Sequence, residues 1–190
     1  MTASRPISRF PIPDISSLPD DLRSMIENVQ ERMGFVPNVF LAMAHRPNQL
    51  RHFMAYSDEL MNNDEGLTKA EREMIVVATS SANQCLYCVV SHGAILRIRS
   101  KQPTLADQLA INYREAPVTE RQRVMLDYAV KLAKTPEVVT EADFQTLREA
   151  GFDDDAIWDI GGIVAFFAMS NRLATHTGMW PNPEFYGMAR

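Results

Sequence analysis

The sequence predicts an all-α protein, a helical bundle preceded by an extended arm, and three observations carry that prediction. Apolar residues recur at three- and four-residue spacing through every long segment. Two of those segments open on a Thr followed three residues later by Glu or Gln. No stretch alternates apolar and polar residues beside turn dipeptides such as Asn-Gly, and nothing repeats at a fixed period.

Pro6, Pro11, Pro13 and Pro19 interrupt residues 1–19, so this segment is expected to be an extended arm lying on the body or on a neighbouring subunit. Residues 20–190 are expected to form one helical domain. From Asp20, the residues Leu22, Met25, Ile26, Val29 and Met33 keep helical spacing, and Gly34 stands where a left-handed C-cap belongs. A short apolar segment, Val39 to Ala44, follows Pro37. Pro47 then opens a second periodic stretch through Leu50, Phe53, Met54 and Met61, with a loop over 62–66. Thr68 with Glu71 forms a capping box, which predicts a helix to about Ser81. Thr119 with Gln122 opens another, and Thr140 caps a helix that ends before Gly151.

The composition excludes several classes. With 190 residues, 46 % apolar and 23 % charged, the chain reads as an ordinary globular protein. A net charge of −5 argues against nucleic acid as a partner, because phosphate binding needs clustered Lys and Arg. The most apolar run, Ile157 to Met169, is interrupted by Asp159 and falls short of the roughly 20 residues a membrane span takes, so it reads as a buried core helix. Residues 1–19 hold no apolar stretch of secretory type, and a cytoplasmic location is expected. The only two cysteines stand three apart, a poor disulfide framework but a common layout for redox or metal chemistry.

The chemistry concentrates around those cysteines. In a helix beginning near Asn83, Cys85, Cys88 and His92 occupy i, i+3 and i+7 and share one face. A cysteine in the first turn feels the positive end of the helix dipole, which favours thiolate. His92, one turn beyond Cys88, can take its proton directly or through a water. Glu73 stands ten residues before Asn83 and His92 nine after it, so an antiparallel hairpin would bring carboxylate and imidazole together. A continuous helix would instead put Glu73 about 18 Å along the axis from Cys85.

Plainer readings compete. Two cysteines at this spacing can be small buried apolar residues. With a histidine they can also be three of the four ligands of a structural zinc site, the fourth coming from His45, His52, His176 or a carboxylate. Glu71 reads as a capping carboxylate, and Tyr87 as a pocket wall or interface residue. His176 and Arg172 read as groups that close a helix end or pair across an interface.

The string Glu73, a gap of twelve, then Cys85-x-x-Cys88-x-x-x-His92 resembles the active-site signature of the alkylhydroperoxidase and carboxymuconolactone decarboxylase superfamily. The fuller pattern with Ser80, Asn83 and Tyr87 resembles its peroxidase-related branch, as do Asn171-Arg172-Leu173-Ala174, Gly178 and Pro181-Asn182. The resemblance spans roughly Leu22 to Tyr186 and implies an alkylhydroperoxidase-like all-helical fold and a homo-oligomer, a dimer or trimer of dimers. It further implies a cycle in which a cysteine sulfur reduces a small hydroperoxide, the sulfenic acid condenses to a Cys85–Cys88 disulfide, and an external thiol or dithiol restores it. No cofactor or metal is expected. Catalytic roles fall on Cys85, Cys88, His92 and Glu73, and a substrate pocket on Tyr87, Ser80 and Asn83. Cys88 is assigned as the sulfur that attacks peroxide, because His92 is one turn away. Cys85, nearer the helix start and expected to be more exposed, is the resolving thiol, although the helix terminus would favour Cys85 as the reactive one. The chain departs from alkylhydroperoxidases proper in carrying Tyr87 where a second histidine often stands, which shortens the proton relay. General dithiol-disulfide exchange, acid-base decarboxylase-like chemistry without sulfur, and a non-catalytic zinc-binding assembly are the alternatives.

Overall fold

The computed structural model describes residues 6–190, and residues 1–5 of the expected arm lie outside the described residues. Among the described residues every regular element is helical: α1 Asp20–Met33, α2 Asn38–Met43, α3 Pro47–Asn62, α4 Lys69–Ala82, α5 Leu86–Ser100, α6 Leu105–Asn112, α7 Glu120–Lys134, α8 Glu141–Glu149, α9 Asp154–Thr177 and α10 Glu184–Gly187. Single 3₁₀ turns at Ile15–Ser17, Tyr113–Glu115 and Pro136–Val138 join them.

Local sequence signals set most boundaries. Gly34 ends α1 in the left-handed region at φ 79°, and Pro47 is the first residue of α3. The boxes at Thr68/Glu71 and Thr119/Gln122 are both closed: each Thr side chain accepts from the backbone N–H three residues on, and each Thr backbone N–H donates in return to the Glu71 or Gln122 side chain. The apolar run predicted over 157–169 is part of the longer α9, whose N-terminus Asp153 caps by accepting from Ala156 N–H. No helix among the described residues is long and apolar enough to cross a membrane.

The centre of the bundle is α4, in which ten consecutive residues, Glu71 to Ser80, are buried. Its apolar middle, Ile75, Val76, Val77 and Ala78, packs into a core shared with α7 and α9. Truncating the fully buried Ile75 would cost about 2–5 kcal/mol. A second core joins α1, α2 and α3 through Leu22, Ile26, Phe40 and Leu50. The charged residues of α4 are all partnered. Arg72 bonds the carbonyls of Leu60, Asn63 and Glu65 and pairs with Asp159 of α9 at 2.8 Å, which explains the acidic residue inside that apolar run. Glu71 adds to its capping role an ion pair with Arg121 at 2.6 Å.

The described part of the arm lies on the C-terminal end of α9. Arg9 N–H donates to Thr177 O at 2.6 Å, and the Arg9 guanidinium donates to Thr175 O and His176 O at 2.7 and 2.8 Å. These carbonyls belong to the last turn of α9, where, besides the Arg9 bonds, only Thr175 O receives a backbone donor, the Gly178 N–H at 3.2 Å, so a cation there adds the missing donors and complements the helix dipole.

Candidate active site

The site lies at the turn between α4 and α5. Asn83 closes α4, Gln84 turns the chain back through the left-handed region at φ 57°, and Cys85 N–H returns to Ser80 O at 2.9 Å. The second helix therefore starts at Leu86, three residues later than the sequence predicts, because Gln84 takes a conformation that a non-glycine residue rarely signals. Cys85 is accordingly the N-cap of α5 and not a residue of its first turn. Its sulfur accepts from Cys88 N–H at 3.4 Å and lies 2.8 Å from Cys88 Sγ, with both cysteines free.

The hairpin brings Glu73 and His92 together as the residue count requires. His92 Nδ1 stands 2.7 Å from Glu73 Oε2, and Arg99 holds the other carboxylate oxygen at 3.1 Å. Glu73 is 1 % exposed. The edge contact of the imidazole with Phe167, at 4.7 Å between centroids, fixes the ring further. A carboxylate on Nδ1 holds the proton there, which leaves Nε2 with its lone pair available.

Cys88 and His92 line one cavity of about 180 Å³, walled by apolar side chains including Val39, Phe40, Phe53 and Phe166. Tyr87 also lines it, but its hydroxyl is engaged: it accepts from Val39 N–H at 3.0 Å and so caps α2, which forms one wall. Burial pushes the Tyr87 phenol far above its ordinary range.

Ser80 and Asn83 do not line this cavity, contrary to the sequence expectation. They sit behind the sulfurs on Asn171 of α9: the Asn171 amide donates to Ser80 Oγ at 2.9 Å, and Asn83 donates to Asn171 Oδ1 at 2.9 Å. Asn171 also favours the charged form of both cysteines. Its role escaped sequence reasoning, which noted it only within the terminal pattern, because nothing local ties residue 171 to residues 80–88.

The two thiols are unequal. The neighbouring Cys88 thiol, its backbone N–H, His92 and Asn171 stabilise charge on Cys85 against the cost of burial and lower it from 9.0 to about 7. Cys88 is raised well above 9.0, by its hydrogen bond to the Cys85 sulfur first and by burial second. The expected difference in exposure is absent, since Cys85 and Cys88 are 2 % and 1 % exposed. The hydrogen bond between the two sulfurs, with the Cys88 N–H that Cys85 Sγ accepts as N-cap, separates them. Among the described residues no group of three or more His, Cys, Asp or Glu side chains is disposed to hold a metal ion.

The fold and site define an all-helical protein with a helix-capping dithiol beside a carboxylate-oriented histidine. The carboxymuconolactone decarboxylase family model matches residues 47–104, α3 through α5 and the loop up to α6. A protein from Ralstonia eutropha JMP134, described as an alkylhydroperoxidase AhpD core and an uncharacterized peroxidase-related protein, is 60 % identical over 98 % of each chain, with a TM-score of 0.96. A peroxidase-related protein from Silicibacter sp. TM1040 is 44 % identical over the full length of both chains, at 0.93. The debrominase Bmp8 shares the fold at 18 % identity over 94 % of each chain, at 0.77. No curated protein matches. The chain belongs to the alkylhydroperoxidase and carboxymuconolactone decarboxylase superfamily.

Proposed function

We propose that this chain is a thiol-dependent peroxidase that reduces a small hydroperoxide through a Cys85–Cys88 dithiol and disulfide cycle. The observation that carries this reading is the shared cavity: Cys88 and His92 face the same apolar space, and the imidazole is held at Nδ1 by Glu73. Because charge on Cys85 raises Cys88, Cys88 needs a base, and His92 Nε2 is that base. The Cys88 proton passes to Nε2, and Glu73 stabilises the imidazolium. Cys88 Sγ then attacks the terminal peroxide oxygen, the O–O bond breaks, and the imidazolium returns its proton to the departing alkoxide, giving an alcohol and a Cys88 sulfenic acid. Cys85, whose thiol is lowered to about 7, attacks the sulfenic sulfur as thiolate; the S–S bond forms and hydroxide leaves with a proton from solvent. The apolar walls suit a hydroperoxide with a hydrocarbon body.

Mass spectrometry after one equivalent of cumene hydroperoxide tests this. Loss of two hydrogens bridging Cys85 to Cys88 is expected, with a trappable sulfenic acid on Cys88 in Cys85→Ser. A protein that leaves both thiols untouched refutes the reading. An activity that survives replacement of both cysteines would instead assign His92 and Glu73 to acid-base chemistry without sulfur.

A further inference from the structure

The dithiol separates two cavities of different character that have only Tyr87 in common. Cys88 faces the apolar one. Cys85 faces a second opening of about 190 Å³ on the other side of the α5 N-terminus, and its rim is polar: Arg9 from the arm, Gln84 from the turn, and Thr175 from the end of α9. Arg9 is built into this rim. A Cβ on Gly178, which also lines the opening at φ 71°, would meet Arg9 Cγ at 3.2 Å and its Nε and Cζ at 3.3 Å, so the guanidinium lies directly on the glycine. One guanidinium nitrogen is spent on the two α9 carbonyls, and the exposed cation remains beside the path to Cys85.

We propose that this polar mouth is the reductant site, taking a low-molecular-weight thiol that carries an anionic group, with Arg9 as its recognition residue. The inference rests on the dithiol reading above and adds the second substrate to it. The reductant thiolate bonds to Cys85 Sγ, the Cys85–Cys88 bond breaks, and the electron pair goes to Cys88 Sγ, which takes a proton that solvent delivers through His92 Nε2 on its own side. A second reductant thiol attacks the reductant sulfur of the mixed disulfide, and the pair returns to Cys85 Sγ. Two thiols are thereby oxidised to one disulfide and the protein dithiol is restored. Each departing sulfur is served by its surroundings: Cys88 is a poor leaving thiolate with a proton donor beside it, while Cys85 is stabilised as an anion by its cap position.

The test starts from disulfide made with diamide, so that it does not depend on peroxide chemistry. Reduction by mercaptoethanesulfonate is compared with reduction by mercaptoethanol at equal thiolate concentration. The anionic thiol is expected to gain on the order of fivefold from a cation near its path. Arg9→Gln, which can still bond the α9 carbonyls, should abolish that gain, and Arg9→Lys should retain it. In Cys88→Ser, alkylation of Cys85 by iodoacetate relative to iodoacetamide should fall in step in the Arg9→Gln background. Equal rates for the two thiols, or a ratio indifferent to Arg9→Gln, overturn the inference even if peroxide forms the disulfide. An Arg9-dependent ratio in a protein that peroxide fails to oxidise would leave the reductant site standing and remove the peroxidase reading.

Discussion

Arg72 and Glu73 are neighbours on α4, both sealed from solvent and both charged, yet they do different work. Arg72 spends all three guanidinium nitrogens on the carbonyls of Leu60, Asn63 and Glu65, on the Asn63 side chain, and on Asp159. Nothing around it is left open, and it pins the loop after α3 to the core. Glu73 is held by Arg99 and His92, and the imidazole it orients has a ring nitrogen to spare beside a cavity. A buried charge is therefore no mark of a site in itself. The mark is a partner with unused hydrogen-bonding capacity facing a space a ligand can enter.

Exchange of each charge for a neutral group sharpens that contrast. Glu73→Gln should slow peroxide oxidation of the thiols by about 10²- to 10⁴-fold, the scale of a lost general acid-base pair, with a smaller loss of stability than Arg72→Met because the glutamine amide oxygen can still accept from His92 Nδ1 or Arg99; stopped-flow oxidation and calorimetry read the two effects. Arg72→Met should do the reverse. Removing one partner of a buried, hydrogen-bonded ion pair costs about 3–5 kcal/mol, which lowers Tm by roughly 6–20 °C in a chain of this size, while thiol oxidation in the folded fraction stays unchanged. A Glu73→Gln protein that loses stability and keeps its oxidation rate would erase the distinction.

Asn171→Leu should cost about 2 kcal/mol, because the Ser80 and Asn83 partners are left unsatisfied, and should move the ionisation of Cys85 upward. A merely structural asparagine would lower stability without moving that titration. Tyr87→Phe should have the smallest effect, about 1 kcal/mol for the lost Val39 N–H bond, with no change in the pH dependence of oxidation.

How much of this was legible depended on how far apart in sequence the interacting residues lie. The helices begin where capping signals are local: Thr68 with Glu71, Thr119 with Gln122, and Pro47 at the start of α3. Glu73 and His92 are 19 residues apart, yet a single bend relates them, so counting from Asn83 was enough. The position of the second helix start was not legible, since no residue type announces the positive φ of Gln84. Asn171 was beyond reach for a different reason. It is 88 residues from Asn83, and only the packing of α9 across α4 brings it beneath the sulfurs, where it claims the two residues, Ser80 and Asn83, that sequence reasoning had assigned to the pocket.

The central claim is that the turn at Gln84 makes Cys85 the anionic member of the pair. Ultraviolet titration of thiolate absorbance measures it directly. The Cys85 pKa is depressed in the folded protein, so the thiolate is present above about pH 7 and is lost as pH falls through that value. One thiol should ionise with a midpoint of about 7, the second only well above 9.0, and the low midpoint should vanish in Cys85→Ser. Two thiols that both ionise at 9.0 or above, or a low midpoint that survives in Cys85→Ser, would contradict the account.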